Sequence, residues 1–452
     1  MKSNILFIVI DSLRADKILT KQKTSITPNI DNLLKKGAVF HNAFSCSDGT
    51  LSSMTSMFTS KFFFRSGVSI KNNYGLDNNT QNFVSLLQKK GYSTMGLIPK
   101  ISYLDQITKD FQNKDKTYDY YQNLSNGLGE KIIRKIESFE KEPWFYYIHI
   151  NDLHLPNWPS KEFDKNEFGV NRYERVVSQV DYWLGKILNS IDKENTIVIL
   201  TADHGDFVHC IKVEDKIVNF EPHSSQKFLR KISKRLPVVV RKNIGFHIFE
   251  KAEKQTNEKK MDDMNLNLTN SQKRTLLHTR SQLDHYFYDD LIHIPLIILN
   301  SNIQAQEIND LVRTVDIFPT ILELLQFEHH ENIDGRSLIP IINGEKLEES
   351  YVYMERELML KHSKLDVCGI RTSKYKYFRA ASDSTAKNHL YDLTKDPLEE
   401  NNIAENENEI VQKMEADLKN IQQEVIKSIN DKPNEEDHDE KVKKELRKLG
   451  YL

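Results

Sequence analysis

Apolar residues recur along this chain in two rhythms. Short runs at 5–10, 144–150, 196–201 and 294–299 are almost evenly apolar, the pattern of strands buried on both faces of a parallel sheet rather than half exposed. Between them, apolar residues fall three and four apart at 28–34, 83–90 and 172–191, the period of a helix face. Pro28 opens the first of these helices and Gly37 follows its end, after which 38–40 resumes extended structure; Gly91 ends the second, before a strand at 93–98. Strand, helix and strand alternate, which predicts an α/β fold with a doubly wound, mostly parallel sheet flanked by helices.

The pattern breaks twice. From about 210 to 280 the alternation disappears, and Lys227, Arg230, Lys231, Lys234, Arg235, Arg241 and Lys242 surround the apolar Val238, Val239 and Val240. This reads as a basic insertion; such a run is ordinarily a solvated face, with peripheral contact to an anionic surface as the functional alternative. The core pattern resumes at Ile294, and 316–325 reads as a helix with Pro319 in its first turn. Beyond Gly344, aromatic and β-branched runs at 351–354, 367–371 and 375–378 suggest a small antiparallel sheet, followed by a helix at 410–429, an acidic stretch at 434–440 and a short final helix at 442–449. The expected organisation is a large domain over 1–345, carrying the insertion, and a C-terminal α+β subdomain over 346–452.

Composition narrows the choices. The 452 residues carry 63 Lys and Arg against 65 Asp and Glu, so no whole-chain field attracts nucleic acid or membrane. Three cysteines, Cys46, Cys210 and Cys368, are too few and too scattered for a disulfide framework or a structural zinc site, and buried thiols in a reducing compartment are expected. The run at 5–10 is short and leads into Asp11 with no small-residue cleavage site, and no segment approaches the roughly 20 apolar residues of a membrane span. A soluble, cytoplasmic protein without a transmembrane segment is the expectation.

Two of the buried runs end in metal-binding chemistry. Asp11 follows the first, and Asp203, His204 and Gly205 follow the run at 196–201. In a mostly parallel sheet, ligands bind beyond the carboxyl ends of the strands, where these residues would meet. A third candidate is Thr50, which follows Gly49 and opens a segment with helical apolar spacing at Met54, Met57 and Phe58. A hydroxyl at a helix N-terminus lies near the positive end of the dipole. An isolated threonine there is more often a simple N-cap.

Ordered blocks change that weighting. The chain resembles the sulfatase family of the alkaline phosphatase superfamily at residues 8–16, at Thr27, Pro28, Asn29, Ile30 and Asp31, and across 50–60. The resemblance continues through Asp152, Leu153, His154, Leu155 and Pro156, through 201–206 and through 288–297. It runs on through 315–321, Asp334, Gly335 and Arg336, the stretch 390–397 and the closing 446–451. The resemblance implies an alkaline-phosphatase-like fold with Thr50 at the nucleophile position. Asp11, Thr50, Asp203 and His204 would then ligate a divalent metal. Oxygen and imidazole donors together favour manganese or zinc, with magnesium or calcium as alternatives. It further implies a substrate-facing His154 and, at His285, a histidine that binds the transferred group or protonates the leaving oxygen; His278 rivals His285. Lys100 falls near the family's lysine block, one residue out of step, and reads as a surface lysine.

The departures from the family pattern carry information. Sulfatases place a Cys or Ser, matured to formylglycine, at the head of Cys-x-Pro-x-Arg; here Thr50, Leu51, Ser52, Ser53 and Met54 lack the proline, the arginine and the modifiable residue. Ser12 stands where many sulfatases have a second aspartate. A threonine with an Asp-His pair is similar instead to the phosphoethanolamine and phosphoglycerol transferase branch. The expected activity is metal-dependent cleavage or transfer of a phosphate ester, chiefly a phosphodiester, through Thr50. The alternatives are a sulfuric ester hydrolase and a catalytically silent sulfatase-fold binding protein. The expected substrate is a small-molecule ester or a glycan or lipid head-group ester, with no role for nucleic acid.

Overall fold

The computed structural model describes residues 2–430 apart from 69–73, 77–79, 155–156, 214–215, 221–256, 265, 278–285, 329–332, 357–365 and 382–385. The strands are β1 (Asn4–Ile10), β2 (Ala38–Phe44), β3 (Ser93–Pro99), β4 (Thr117–Tyr118), β5 (Trp144–Ile150), β6 (Thr196–Thr201), β7 (Cys210–Val213), β8 (Lys216–Asn219), β9 (His293–Leu299), β10 (Gln306–Arg313), β11 (Val352–Glu355), β12 (Val367–Arg371), β13 (Tyr375–Ala380) and β14 (His389–Asp392). The α-helices are α1 (Pro28–Leu34), α2 (Thr50–Thr59), α3 (Phe83–Lys89), α4 (Gly129–Glu137), α5 (Arg172–Leu188), α6 (Asn270–Leu277), α7 (Asp289–Ile292), α8 (Ile317–Leu324), α9 (Ile339–Ile342) and α10 (Asn408–Asn430).

Eight strands form one sheet in the order β10-β2-β9-β6-β1-β5-β3-β4. β1 pairs in parallel with both β5 and β6, while β9 runs antiparallel to its neighbours β6 and β2. The central strands β1, β5 and β6 are buried at every residue, which is why they read as unbroken apolar runs. Side chains alternate across the sheet: Phe7 and Tyr147 meet Phe83 of α3 and Phe58 of α2, whereas Tyr146 meets Phe139 beyond the end of α4. Helices therefore cover both faces, as the alternating pattern predicts.

A second, antiparallel sheet, β11-β12-β13-β14, matches the three short runs read from the sequence and adds β14. Met414 and Leu418 of α10 pack on it with Cys46, Phe62 and Val315 from the larger part of the chain. Lys376, fully buried, lies 2.7 Å from Asp289 and 2.8 Å from Glu399. Buried charges held this way tie β13 to α7 and fix how the small sheet sits.

Of the insertion read at 210–280, the described parts include the hairpin β7-β8 and helix α6. Its basic stretch 227–242 lies outside the described residues, as do the final helix read at 442–449 and His285 with its rival His278. Among the described residues no helix is long and apolar enough to cross a membrane. Cys46, Cys210 and Cys368 are buried.

Candidate active site

The site forms where β1, β5 and β6 end at the middle of the large sheet. Asp11 follows β1 directly and donates its N–H to the Ile150 carbonyl at 2.9 Å, which locks the end of β1 to the end of β5. Ser12 then adopts a left-handed backbone with φ 63°. That turn aims its N–H at Asp203 Oδ1 (3.1 Å) and its hydroxyl at Asp11 Oδ1 (2.7 Å), while its carbonyl accepts from the Tyr173 hydroxyl (2.7 Å). The residue that replaces the second aspartate therefore ties one oxygen of each carboxylate. Asp203 Oδ1 also accepts the His204 N–H at 2.8 Å. Both aspartates present Oδ2 inward.

Gly205 allows the Asp203-His204 turn to form. Its N–H donates to the Leu291 carbonyl at 2.7 Å, and a Cβ there would lie 2.2 Å from the Asp290 carbonyl oxygen. Only glycine permits that approach. His204 Nδ1 faces the Gly205 carbonyl at 2.9 Å, so Nδ1 carries the proton and the Nε2 lone pair is left for the site.

Thr50 is the first residue of α2. Its N-cap is Gly49, which makes no side-chain cap. The plain capping reading of Thr50 therefore fails: its Oγ1 lies 3.4 Å from Asp11 Oδ2 and 3.4 Å from His204 Nε2. α2 is fixed by its apolar ridge, Met54, Met57 and Phe58, all at 0% exposure, with Phe58 edge-on to Tyr147 and Phe83. Hydroxyl pairs Ser45–Ser53 and Ser47–Ser52 hold the approach to the helix.

A residue that sequence reasoning missed completes the cluster. His149, fully buried in β5, has Nε2 3.4 Å from Asp11 Oδ2 and 3.7 Å from Asp203 Oδ2. The available signal was a single histidine inside an aromatic, apolar strand. Its meaning needed the sheet order, because β5 lies beside β1 with His149 opposite Val9.

Burial opposes ionisation of Asp11, yet the neighbouring His149, His154 and His204 hold its carboxyl well below the usual carboxylate range. Burial likewise depresses His149, but Asp11 and Asp203 together raise it above the ordinary histidine value. His154 lies just past β5, half-buried, with Nδ1 3.0 Å from the Tyr120 hydroxyl. Asp152 accepts from the Leu124 N–H and the Gln179 amide, and burial pushes it up to about 7. Lys100 is exposed, as its surface reading expects.

The donor set fits a divalent cation. Asp203 Oδ2 is buried and has no hydrogen-bond partner, although His204 Nε2 stands 3.4 Å away. Asp11, His149 and Asp203 offer ligand atoms within 4.8 Å of one another. Donors sharing a cation at about 2.0–2.2 Å stand roughly 3.3–3.6 Å apart in a tetrahedral shell, which matches the 3.4 Å separations of Thr50 from Asp11 and His204.

Comparison with known proteins supplies the family and the fold. Mouse arylsulfatase K is 22% identical over 354 residues, which is 76% of this chain and 58% of that protein. The chain thus spans about three-fifths of the length of that relative. Among solved structures, yidJ of Bacteroides fragilis, a candidate sulfatase, superposes with a TM-score of 0.67 at 18% identity, covering 94% of this chain and 96% of the other. The phosphonate monoester hydrolase of Agrobacterium radiobacter superposes with a TM-score of 0.65 at 15% identity, covering 94% and 97%. These two likenesses show a shared fold. The family model described as Sulfatase matches residues 3–327, and one described as N-sulphoglucosamine sulphohydrolase, C-terminal, matches 282–424. The chain belongs to the sulfatase family.

Proposed function

We propose that this chain is a metal-dependent hydrolase or transferase of phosphate esters, phosphodiesters first, working through Thr50. One observation carries the reading: Thr50 Oγ1 sits at a helix N-terminus, 3.4 Å from both Asp11 and His204. An unaided threonine hydroxyl is a weak nucleophile near neutral pH and needs activation. Asp11, Thr50, Asp203 and His204 would hold the divalent ion, which when bound favours the threonine alkoxide and acts as a Lewis acid.

The residues supply the rest. Thr50 Oγ1 attacks phosphorus, one P–O bond forms and the bond to the leaving oxygen breaks. The α2 dipole stabilises negative charge at that position. His154, whose Nδ1 stands 3.0 Å from the Tyr120 hydroxyl, would face the substrate, as the family resemblance implies. Water, or an acceptor hydroxyl, then resolves the phosphothreonine and frees Thr50. His285 keeps its role from the family resemblance as the histidine that would bind the transferred group or protonate the leaving oxygen. The cytoplasmic setting expected from three scattered, buried thiols belongs to the same proposal, and cell fractionation checks it.

Sulfate esters are the second reading. Arylsulfatase K and the Sulfatase family model favour it, and sulfate shares the tetrahedral geometry of phosphate. The missing formylglycine residue favours phosphorus. The test is turnover of paired nitrophenyl phosphodiester, phosphomonoester and sulfate substrates with manganese, zinc, magnesium or calcium, using the native protein and Thr50→Ala. Phosphodiester cleavage that falls by at least ~10³-fold in the variant supports the proposal. Preferential sulfate turnover overturns the substrate assignment, and silence on every substrate with no metal retained points to a binding protein.

A further inference from the structure

We infer that His149 is a fifth metal donor of this site, beyond the four that the family resemblance implies, and that Tyr147 orients it. The inference rests on the metal-dependent reading proposed above. His149 Nε2 faces the inward oxygens of both aspartates, at 3.4 Å from Asp11 Oδ2 and 3.7 Å from Asp203 Oδ2. These separations are long for a charge-assisted hydrogen bond, which closes to about 2.7–2.9 Å. They fit two ligands that share a cation.

The other ring nitrogen is already engaged. His149 Nδ1 stands 3.1 Å from the Tyr147 hydroxyl, two residues earlier on the same face of β5. A ring whose Nδ1–H donates to that oxygen keeps its Nε2 lone pair for a metal, the usual way a ligating histidine is oriented. Tyr147 is itself held edge-on between Phe7 and Phe58. The same aromatic contacts that fix α2, and with it Thr50, therefore also fix the orientation of His149. Asp203 Oδ2, buried without a hydrogen-bond partner, faces both His149 and His204, so one cation would satisfy the carboxylate from two sides.

A histidine-rich set has a chemical consequence. Two imidazoles with two carboxylates and a hydroxyl disfavour calcium and magnesium, which take oxygen ligands, and favour manganese, zinc or iron(II). The experiment is manganese(II) binding by the native protein, read by calorimetry and by electron spin-echo envelope modulation, which counts histidine nitrogens on the ion. Two coupled nitrogens are expected in the native protein and one in His149→Gln.

Outer-shell partners commonly cost about 10–100-fold in affinity when removed. The manganese Kd is therefore expected to rise by at least ~10-fold in Tyr147→Phe and by more in His149→Gln. The nitrogen count of the native protein decides the question even if His149→Gln fails to fold. Manganese bound with one nitrogen overturns the role of His149 and leaves the proposed function standing. A native protein that binds no manganese overturns both.

Discussion

Each side chain at the site owes its role to which of its atoms is already occupied. Asp11 and Asp203 are both aspartates, yet each is tied at Oδ1, by the Ser12 hydroxyl in one case and by the Ser12 and His204 N–H groups in the other. Only the Oδ2 atoms remain. Asp203 Oδ2, buried and unpartnered, is a cost that a bound cation would remove. Saturating divalent metal should therefore raise the melting temperature. One site at 100-fold excess over Kd contributes about 2.7 kcal/mol, and Asp203→Asn should lose most of the increase. Scanning calorimetry with and without chelator checks this, and an equal increase in the variant would exclude Asp203 as a ligand. At this scale the sequence put Asp11, Asp203 and His204 after apolar runs and, through the family resemblance, Thr50 at the head of a helix, and the structure brings the four side chains together. The sequence was silent on His149, because a histidine inside a buried strand looks the same whether it ligates or merely fills space.

The elements place these atoms through a few close approaches. Helix α2 carries Thr50 because its Met54, Met57 and Phe58 ridge fits the aromatic layer of Phe83 and Tyr147. The turn after β6 carries Asp203 and His204 because Gly205 lets the chain touch Asp290. Gly205→Ala should cost about 1–3 kcal/mol, the usual penalty of overpacking. It should also weaken metal binding, since the displaced backbone is the one that aims His204. Urea titration together with metal calorimetry separates the two effects; unchanged stability would show that the turn yields easily. The central strands and the helices α1, α3, α5, α8 and α10 were readable from periodicity. The helices α4 and α6 and the strand β10 were not read, and neither were the short β4, β14 and the β7-β8 hairpin, where two to four residues leave too few positions for a period to appear.

At the scale of the molecule, one large sheet and one small sheet are joined both by buried charge and by apolar packing. Glu355 of β11 accepts the Phe64 N–H, and burial pushes its carboxyl up to about 8. The folded state then keeps a proton that the unfolded chain releases near the ordinary value of 4.5. This group's effect on stability is therefore absent below that value and grows more unfavourable as pH rises towards 8. Glu355→Gln should flatten the decline, and melting temperatures across that range test it; an unchanged slope would assign the decline elsewhere. The sheet's parallel character followed from its buried strands, whereas the antiparallel β9 did not, since direction leaves no mark on an apolar run. If the proposed chemistry holds, Thr50 becomes covalently loaded during turnover. Acid-quenching the manganese-loaded protein with a ³²P-labelled phosphodiester and mapping the label by peptide is the most direct test. Label is expected on the peptide containing Thr50 and none in Thr50→Ala; turnover that persists in Thr50→Ala, with no labelled protein, would contradict a phosphothreonine intermediate.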